Sequence, residues 1–349
     1  MPPKRRNPEN KGLPSRWKFQ HGAYYYRVPP GLEPLWEGKQ FYRLGKTLPE
    51  AYQIWAERIV EKEKSSTVGK LLDRYALEVV PTKAPTTQAN NLIFIRALRA
   101  AFGEFPLTAV KPKHVYQYVD ARTAKISAHR EIEVLSHAFT KAVQWGYIDR
   151  HPFKGEVRLE GEKPRTRYVE DWELVEALAL PATRKKGSVE MIQAYMKIKL
   201  LTGLRRGDLL RLSVANLQGD GLHVTPGKTA KTSGKRLIIE WSDELRAAVE
   251  EAKKARPVIS PFLFCNRRGE CYVKEDGTAN GWDSIWQRFM DRLLEETNIE
   301  LRFTEHDIRA KCASDAETLA HAQQLLAHAD GRTTERVYRR KPERVKPLR

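Results

Sequence analysis

Three spaced groups of polar residues constrain this chain more than any other feature of its sequence. The first is Thr202-Gly203-Leu204-Arg205, the second is His306-Asp307-Ile308-Arg309, and the third runs from His328 to Tyr338. Each group alone is a weak signal, because a turn before a helix, a solvated helix face or a packed tyrosine gives the same pattern. Their joint occurrence in this order indicates one functional site.

The residue types in this set suit attack on a phosphodiester by a tyrosine hydroxyl. Arg205 and Arg309 would clamp the non-bridging oxygens, because the phosphodiester gains negative charge as a nucleophile adds and a guanidinium offers donors in a fixed fork. Tyr338 would be the nucleophile. A tyrosine phenol ordinarily has a pKa of about 10, so attack at neutral pH needs a cationic pocket and a nearby base.

His306 is the expected proton acceptor for that phenol. Its spacing to Arg309 is i, i+3, which places both side chains on one face of a helix. Thr304 and Asp307 predict a capping box at the start of this helix. A phosphate could therefore also meet the helix N-terminus.

A hairpin between Gly219 and Trp241 supplies a candidate general acid. Strands are predicted around Leu222-His223-Val224 and Leu237-Ile238-Ile239, with the turn between them. A lysine on this turn would protonate the 5′-oxygen leaving group. Lys228, Lys231 and Lys235 compete for that role. Asp208, three residues after Arg205, is expected to hold that arginine in place as a supporting carboxylate.

Taken in order, Arg205, a hairpin lysine, His306, Arg309, His328 and Tyr338 resemble the active site of the tyrosine recombinases, the phage integrase family. The resemblance covers most of the chain, and the distance to the following strand in the family pattern selects Lys231. Two departures occur. Leu326-Ala327-His328 stands where the family usually has Leu-Gly-His, and Ala310 to Asp315 replaces the commoner continuation of the His-x-x-Arg motif. Neither departure changes a group that does chemistry.

Composition agrees with an enzyme that acts on nucleic acid. Lys and Arg number 62 against 44 Asp and Glu, a net charge of +18, which predicts salt-sensitive attraction to a polyanion. Such a charge would equally suit a ribosomal or nucleoid protein. The three cysteines form no Cys-x-x-Cys pair, and no apolar run reaches membrane-spanning length. We therefore expect a reduced cytoplasmic protein on DNA in a bacterial host, with no metal, cofactor or membrane partner.

The sequence predicts an α+β multidomain chain with the tyrosine recombinase fold. Residues 1–63 predict a small three-stranded β-sheet module, with strands near 16–19, 23–28 and 40–44 and a helix from residue 49. This module resembles the arm-type DNA-binding module of lambda-like integrases, although its aromatic residues could simply form a small core. Residues 64–153 predict a helical core-binding domain and 154–167 a linker. Residues 168–349 predict a mostly α catalytic domain with a small β-sheet.

Basic residues outside the catalytic set are candidates for phosphate contact, although charges on helix faces are more often merely solvated. They are Lys4, Arg5, Arg6, Arg16, Lys18, Lys111, Lys113, Lys125, Arg130 and Lys141.

The resemblance implies a site-specific DNA recombinase, most like the integrase of a temperate phage or integrative element of a Gram-negative bacterium. Tyr338 would form a 3′-phosphotyrosine, and strand exchange would pass through a Holliday junction. The implied partners are double-stranded DNA at core and arm-type sites, a homo-tetramer on that DNA, a host DNA-bending protein and an excisionase. Two alternatives are a type IB topoisomerase-like enzyme, against which the N-terminal module argues, and a non-catalytic DNA-binding relative, against which the intact six-residue set argues.

Overall fold

The computed structural model describes residues 8–30, 33–58, 67–182, 188–227, 234–342 and 345–348. The chain divides into two compact units, Met1–Glu162 and Lys163–Arg349. The division falls inside the predicted linker. Lys4, Arg5, Arg6, Lys228 and Lys231 lie outside the described residues. The predicted fold class is confirmed by the small sheet and helices of the first unit and the mostly helical second unit.

The first unit opens with an antiparallel sheet of strands β1 (Trp17–Gln20), β2 (Ala23–Arg27) and β3 (Phe41–Gly45). His21 and Gly22 both have positive φ, 50° and 70°, in the two-residue turn that joins β1 to β2. That geometry matches the right-handed twist of the paired strands. Helix α1 (Leu48–Arg58) packs against the sheet.

The aromatic residues of this sheet divide between its two faces. Trp17 and Tyr26 are buried, and the ring of Trp17 lies 4.9 Å from that of Tyr52 on α1. On the other face, the strand register places Tyr25 between Lys18 and Arg43. The aromatic side chains therefore supply a core and also leave one tyrosine flanked by two exposed cations.

The described residues of the first unit also form the α-helices α2 (Val68–Glu78), α3 (Pro85–Phe102), α4 (Pro112–Ala121) and α5 (Lys125–Gln144). Proline at the first position of α3 and α4 presets the helical φ and lacks an N–H that would have no partner there. The buried side chains of α2 to α5 and of the sheet form one hydrophobic core. The separate division at residue 63 stays a prediction.

The second unit is mostly helical. Its helices are α6 (Asp171–Ala179), α7 (Ser188–Thr202), α8 (Arg206–Leu210), α9 (Asp243–Ala255), α10 (Asn280–Glu296), α11 (Glu305–Asp315), α12 (Leu319–Leu325) and the short α13 (Gly331–Thr333). A π-helical turn, Thr334–Tyr338, follows α13 directly. α7 runs through the core and packs against α9 and α11. Among the described residues, no helix is both long and apolar enough to span a membrane.

The predicted hairpin is present as strands β4 (Gly221–Val224) and β5 (Leu237–Glu240), which pair antiparallel. Gly221 is required by close packing, because a Cβ there would lie 2.5 Å from the carbonyl oxygen of Ile239. Leu222 and Val224 of β4 belong to the core of the second unit, and Lys231 lies outside the described residues.

Candidate active site

Helix α11 begins with the predicted capping box and carries two of the predicted site residues. The side chain of Thr304 accepts a hydrogen bond from the backbone N–H of Asp307, and Oδ2 of Asp307 accepts one from the N–H of Thr304 at 2.9 Å. This reciprocal pair satisfies two of the N–H groups that a helix start leaves without partners. His306 and Arg309 then follow in the first turns of α11, as the sequence predicts.

Tyr338 lies among the other predicted site residues. Its ring centroid is 5.0 Å from that of His306 and 4.9 Å from that of His328. The guanidinium carbon of Arg309 is 5.4 Å from the same ring. Tyr338 is 9% exposed, so the residue is buried and does not belong to an exposed tail. Four residues separated by up to 32 positions are thus brought together.

Arg309 is held rigidly by three acceptors. Its guanidinium donates to the carbonyl of Gly203, to that of Leu326 at 2.8 Å and to Nε2 of His328 at 3.2 Å. Its buried Nε has no acceptor among the described residues. Burial, and next the positive charge of Arg205, lower the pKa of Arg309 to about 10. Two adjacent guanidiniums repel one another, so an anion placed between them is stabilised.

Arg205 is positioned by the glycine turn that precedes it. Gly203 has φ +60°, and a Cβ there would lie 2.9 Å from Cδ2 of Leu326. Glycine is therefore needed both for its left-handed conformation and for space. Arg205 immediately precedes α8 and is half-buried. Its charge is close enough to Arg309 to lower the pKa of Arg309.

His328 follows a strained alanine. Ala327 has φ +50°, a conformation that glycine adopts without steric cost. Because a guanidinium can only donate, Nε2 of His328 accepts from Arg309, and Nδ1 donates to Oγ1 of Thr334 at 2.9 Å. His328 therefore orients Arg309 and connects it to the π-helical turn that ends at Tyr338.

His306 has the protonation state that a proton acceptor needs. The pKa of His306 is lowered to about 4; burial is the largest cause, followed by the charges of Arg340 and Arg309. His306 is exposed as a residue, so solvent weakens the contribution from burial, whereas the two cations act on the ring directly. Both effects favour a neutral imidazole near pH 7, 5.0 Å from the Tyr338 ring between centroids.

Comparison with known proteins identifies the family. The model of the phage integrase family matches residues 173–344, which include all six predicted catalytic residues. The integrase of Escherichia phage HK022 is 25% identical over 263 residues, covering 68% of this chain and 67% of the relative. The integrase of Escherichia phage lambda is 25% identical over 248 residues, covering 65% and 66%. This chain belongs to the phage integrase family of tyrosine recombinases.

Solved structures show that the shared fold of this recombinase extends beyond residues 173–344. A lambda integrase dimer bound to a COC′ core site matches with a TM-score of 0.64 at 20% identity, over 96% of this chain and 98% of that one. A lambda integrase tetramer bound to a Holliday junction matches with a TM-score of 0.60 at 20% identity, over 91% and 97%. The Tn1549 transposon integrase in complex with circular intermediate DNA matches at 0.61 and 17% identity, over 77% and 94%.

The predicted supporting residue Asp208 contacts the segment that follows β4 in the recombinase. Oδ1 of Asp208 accepts a hydrogen bond from the backbone N–H of Gly227 at 2.8 Å, which connects α8 to the segment that follows β4. Its predicted support of Arg205 stays a prediction. Lys231 and its competitor Lys228 lie outside the described residues, whereas Lys235 is exposed just before β5.

Several predicted phosphate contacts have protein partners. Nζ of Lys125 donates to the carbonyls of Val119 and Asp120 at 2.9 Å each and so caps the end of α4. Arg130 forms an exposed ion pair with Glu162, and Lys141 donates to Gln144. Lys111 precedes α4, Lys113 lies in its first turn, and Arg16 and Lys18 lie at β1. Their DNA contacts stay predictions.

Sequence reasoning missed a buried group of charged residues next to the predicted catalytic residues. Lys199 on α7 is 1% exposed, and its Nζ donates a hydrogen bond to the carbonyl of Leu204 at 2.9 Å, next to Arg205. Glu305, next to His306, accepts from Nε1 of Trp282 at 2.7 Å and lies 3.7 Å from Arg206. The available signal was a lysine within the apolar run of α7. Its partners, however, are distant in sequence.

Proposed function

We propose that this tyrosine-type site-specific recombinase integrates or excises mobile DNA, with Tyr338 as the nucleophile that forms a 3′-phosphotyrosine and releases a 5′-hydroxyl. The observation that carries the proposal is the enclosure of Tyr338 by His306, His328 and Arg309. The 5′-hydroxyl of the partner strand would then attack the phosphotyrosine. A second round of exchange would resolve the Holliday junction.

The phosphate would be held between Arg205 and Arg309. Their mutual repulsion favours an anion at this position, and the buried Nε of Arg309 is a donor that a non-bridging oxygen can accept from. Charge develops on the phosphoryl oxygens as the tyrosine oxygen adds, so donors already fixed in place stabilise the transition state more than the ground state. The three acceptors that fix Arg309 provide this preorganisation.

Proton transfer would use His306 and Lys231. His306 is neutral before DNA binds, because burial and nearby cations lower its pKa. A bound phosphodiester would offset the field of those cations and raise the basicity of the imidazole, so proton uptake from Tyr338 becomes easier when substrate is present. Lys231 would deliver a proton to the leaving 5′-oxygen. The ester keeps the energy of the broken bond, so neither ATP nor a metal is required, and no cofactor is proposed.

The DNA partners would engage both units. Double-stranded core-site DNA would bind at the catalytic site, and arm-type DNA would meet the sheet face on which Tyr25 lies between Lys18 and Arg43. Exposed cations beside an aromatic ring suit a backbone and groove contact. By analogy with the lambda integrase tetramer on a Holliday junction, four protomers would pair two sites. A host DNA-bending protein and an excisionase are proposed as accessory partners.

The test is covalent trapping on a nicked core-site substrate. Tyr338→Phe should bind this DNA as the unchanged protein does, because the ring stays, yet form no protein–DNA adduct. Tyr272→Phe is the matched control, since it removes another half-buried phenol of the same unit. An adduct that survives Tyr338→Phe would identify another nucleophile. Adduct formation with resealing of the same strand only, and no exchange between sites, would favour a type IB topoisomerase-like activity.

A further inference from the structure

Arg340 lies two residues after Tyr338 and is buried, although it is followed by an exposed tail. Its side chain is 4% exposed. Nη1 donates to Oδ1 of Asp307 at 2.6 Å and to the carbonyl of Arg167 at 2.9 Å, and Nε donates to the carbonyl of Val337 at 2.9 Å. These contacts fix the guanidinium between α11 and the chain segment that ends at the nucleophile.

Ser314 holds the same segment through its backbone. Its hydroxyl donates to the carbonyl of Tyr338 at 2.9 Å and accepts from the N–H of Arg340 at 2.7 Å. Ser314 lies on α11, the helix that also carries His306 and Arg309. One helix therefore presents the proposed base and one proposed clamp residue, and it also anchors the backbone of the proposed nucleophile.

We propose that the Asp307–Arg340 ion pair, together with the Ser314 bridge, is a latch that holds Tyr338 in the active site of its own chain, with Arg340 as a positioning residue. The inference rests on the proposed function of Tyr338. Asp307 is fully buried, and it also binds Arg165 at 2.9 Å, so its carboxylate is shared by two arginines. Buried ion pairs are no more stabilising than well-packed apolar residues, whereas their directional bonds specify one arrangement.

The latch has an electrostatic consequence for His306. The charge of Arg340 is the second cause, after burial, of the lowered pKa of His306. Arg309 and Lys199 also face this ring and lower its pKa, and Asp307 raises it. Removing the charge of Arg340 should therefore raise the pKa of His306 as well as release the tyrosine. If the charge of Arg340 does not act on the ring, the pKa of His306 stays unchanged in a variant that stays folded.

The first measurement separates binding from chemistry in the full-length protein. Arg340→Met should slow adduct formation at saturating nicked core-site DNA by tenfold or more, and noncovalent affinity for that DNA should change by less than threefold. Arg340→Lys should recover part of the rate, because lysine can pair with Asp307 but cannot also reach the other two carbonyls. Lys341→Met is the matched control. Lys341 is exposed and pairs with Asp315, and its loss should change the rate by less than twofold.

Ser314→Ala tests independently whether the backbone around Tyr338 must be held in place. It removes the bond to the Tyr338 carbonyl without a change in charge, so it should slow adduct formation and leave the pKa of His306 unchanged. The histidine pKa values are read by nuclear magnetic resonance of ring-labelled protein, with His306→Gln for assignment. Arg340→Met should raise the pKa of His306, a measurement that needs no catalysis.

The outcomes separate this inference from the proposed function. An adduct rate within twofold of the unchanged protein in both Arg340→Met and Ser314→Ala overturns the latch, provided that Tyr338→Phe still abolishes the adduct. Loss of core-site affinity in parallel with rate also overturns it. If Arg340→Met does not fold, Arg340→Lys and Ser314→Ala decide by the same criteria. Failure of the unchanged protein to form any adduct rejects the proposed function instead.

Discussion

Lys199 allows a quantitative test of how charge is buried behind the proposed active site. The side chain lies on α7 and donates to the carbonyl of Leu204 and, at 3.3 Å, to the hydroxyl of Tyr195. The pKa of Lys199 is lowered from 10.5 to about 7, with burial as the largest cause; Glu305 and Cys312 raise the pKa, and Arg309 and Arg206 lower it. The Lys199 ammonium therefore loses its proton close to neutral pH.

The pKa difference sets the direction and size of a pH effect on stability. Below pH 7 the lysine is charged in both the folded and the unfolded chain, so the full cost of burying the charge applies. Between pH 7 and 10.5 the unfolded chain binds more protons than the folded one, so the free energy of unfolding rises with pH. The linkage relation gives a rise of about 2 kcal/mol from pH 7 to 9 attributable to this group.

Lys199→Met removes this titration and leaves the Leu204 carbonyl without its donor, which costs about 1–3 kcal/mol at every pH. The difference in unfolding free energy between the unchanged protein and the variant should therefore change by about 2 kcal/mol from pH 7 to 9, in favour of the unchanged protein. Lys197→Met is the control, because Lys197 lies on the same helix but pairs with Glu251 at the surface.

Cysteine labelling during urea unfolding reports the unfolding of the second unit, which contains Lys199. All three cysteines, Cys265, Cys271 and Cys312, lie in the second unit, and Cys265 and Cys312 are buried. Pulsed thiol labelling read by mass spectrometry therefore reports opening around α7 and α11 without interference from the first unit. A stability difference that stays constant within about 0.5 kcal/mol from pH 6 to 9 would refute a buried ammonium with a pKa near 7.

Three further predictions follow from named residues. Lys231→Ala should slow cleavage of an ordinary phosphodiester, and the rate should recover on a 5′-bridging phosphorothiolate, whose thiolate leaves without a proton. Arg205→Ala should show no such rescue. If both variants respond equally, Lys231 is a phosphate contact only. Removal of residues 1–63 should make the salt dependence of binding to long attachment-site DNA shallower, while core-site cleavage persists. In the full chain, Lys18→Gln combined with Arg43→Gln should reduce the slope of log affinity against log salt concentration by about 1.8. Ala327→Gly should raise the free energy of unfolding by up to about 1 kcal/mol, measured by the same thiol labelling, because it relieves a left-handed alanine.

Local patterns in the sequence predicted most elements and the residues of the proposed site. The helix predicted from residue 49 begins at Leu48, and the hairpin strands differ from the prediction by one residue at their ends. The capping box at Thr304 and Asp307 also formed as predicted. In these cases the determining interactions lie within a few residues of one another, so periodicity and capping chemistry are sufficient.

Contacts that span the second unit could not be predicted in the same way. Nothing in the sequence around Arg340 distinguishes it from the other basic residues of the tail, and only the fold places it beside Asp307, 33 residues earlier. The same holds for the bond from Lys199 to the turn before Arg205. The π-helical turn at Thr334–Tyr338 was also absent from the prediction, because its geometry depends on Ser314 and His328 holding it from other elements.

The arrangement around α11 implies that catalytic geometry and fold stability are coupled through neighbouring residues. His306 and Arg309 face Tyr338, while Glu305 contacts Trp282 and Asp307 contacts Arg340. A helix is rigid over its first turns, so displacement of either carboxylate rotates the proposed base and clamp together. Substitutions at Glu305 or Asp307 should therefore reduce the rate of tyrosine attack without removing any group that touches the phosphate, and the reduction should exceed the effect on DNA affinity.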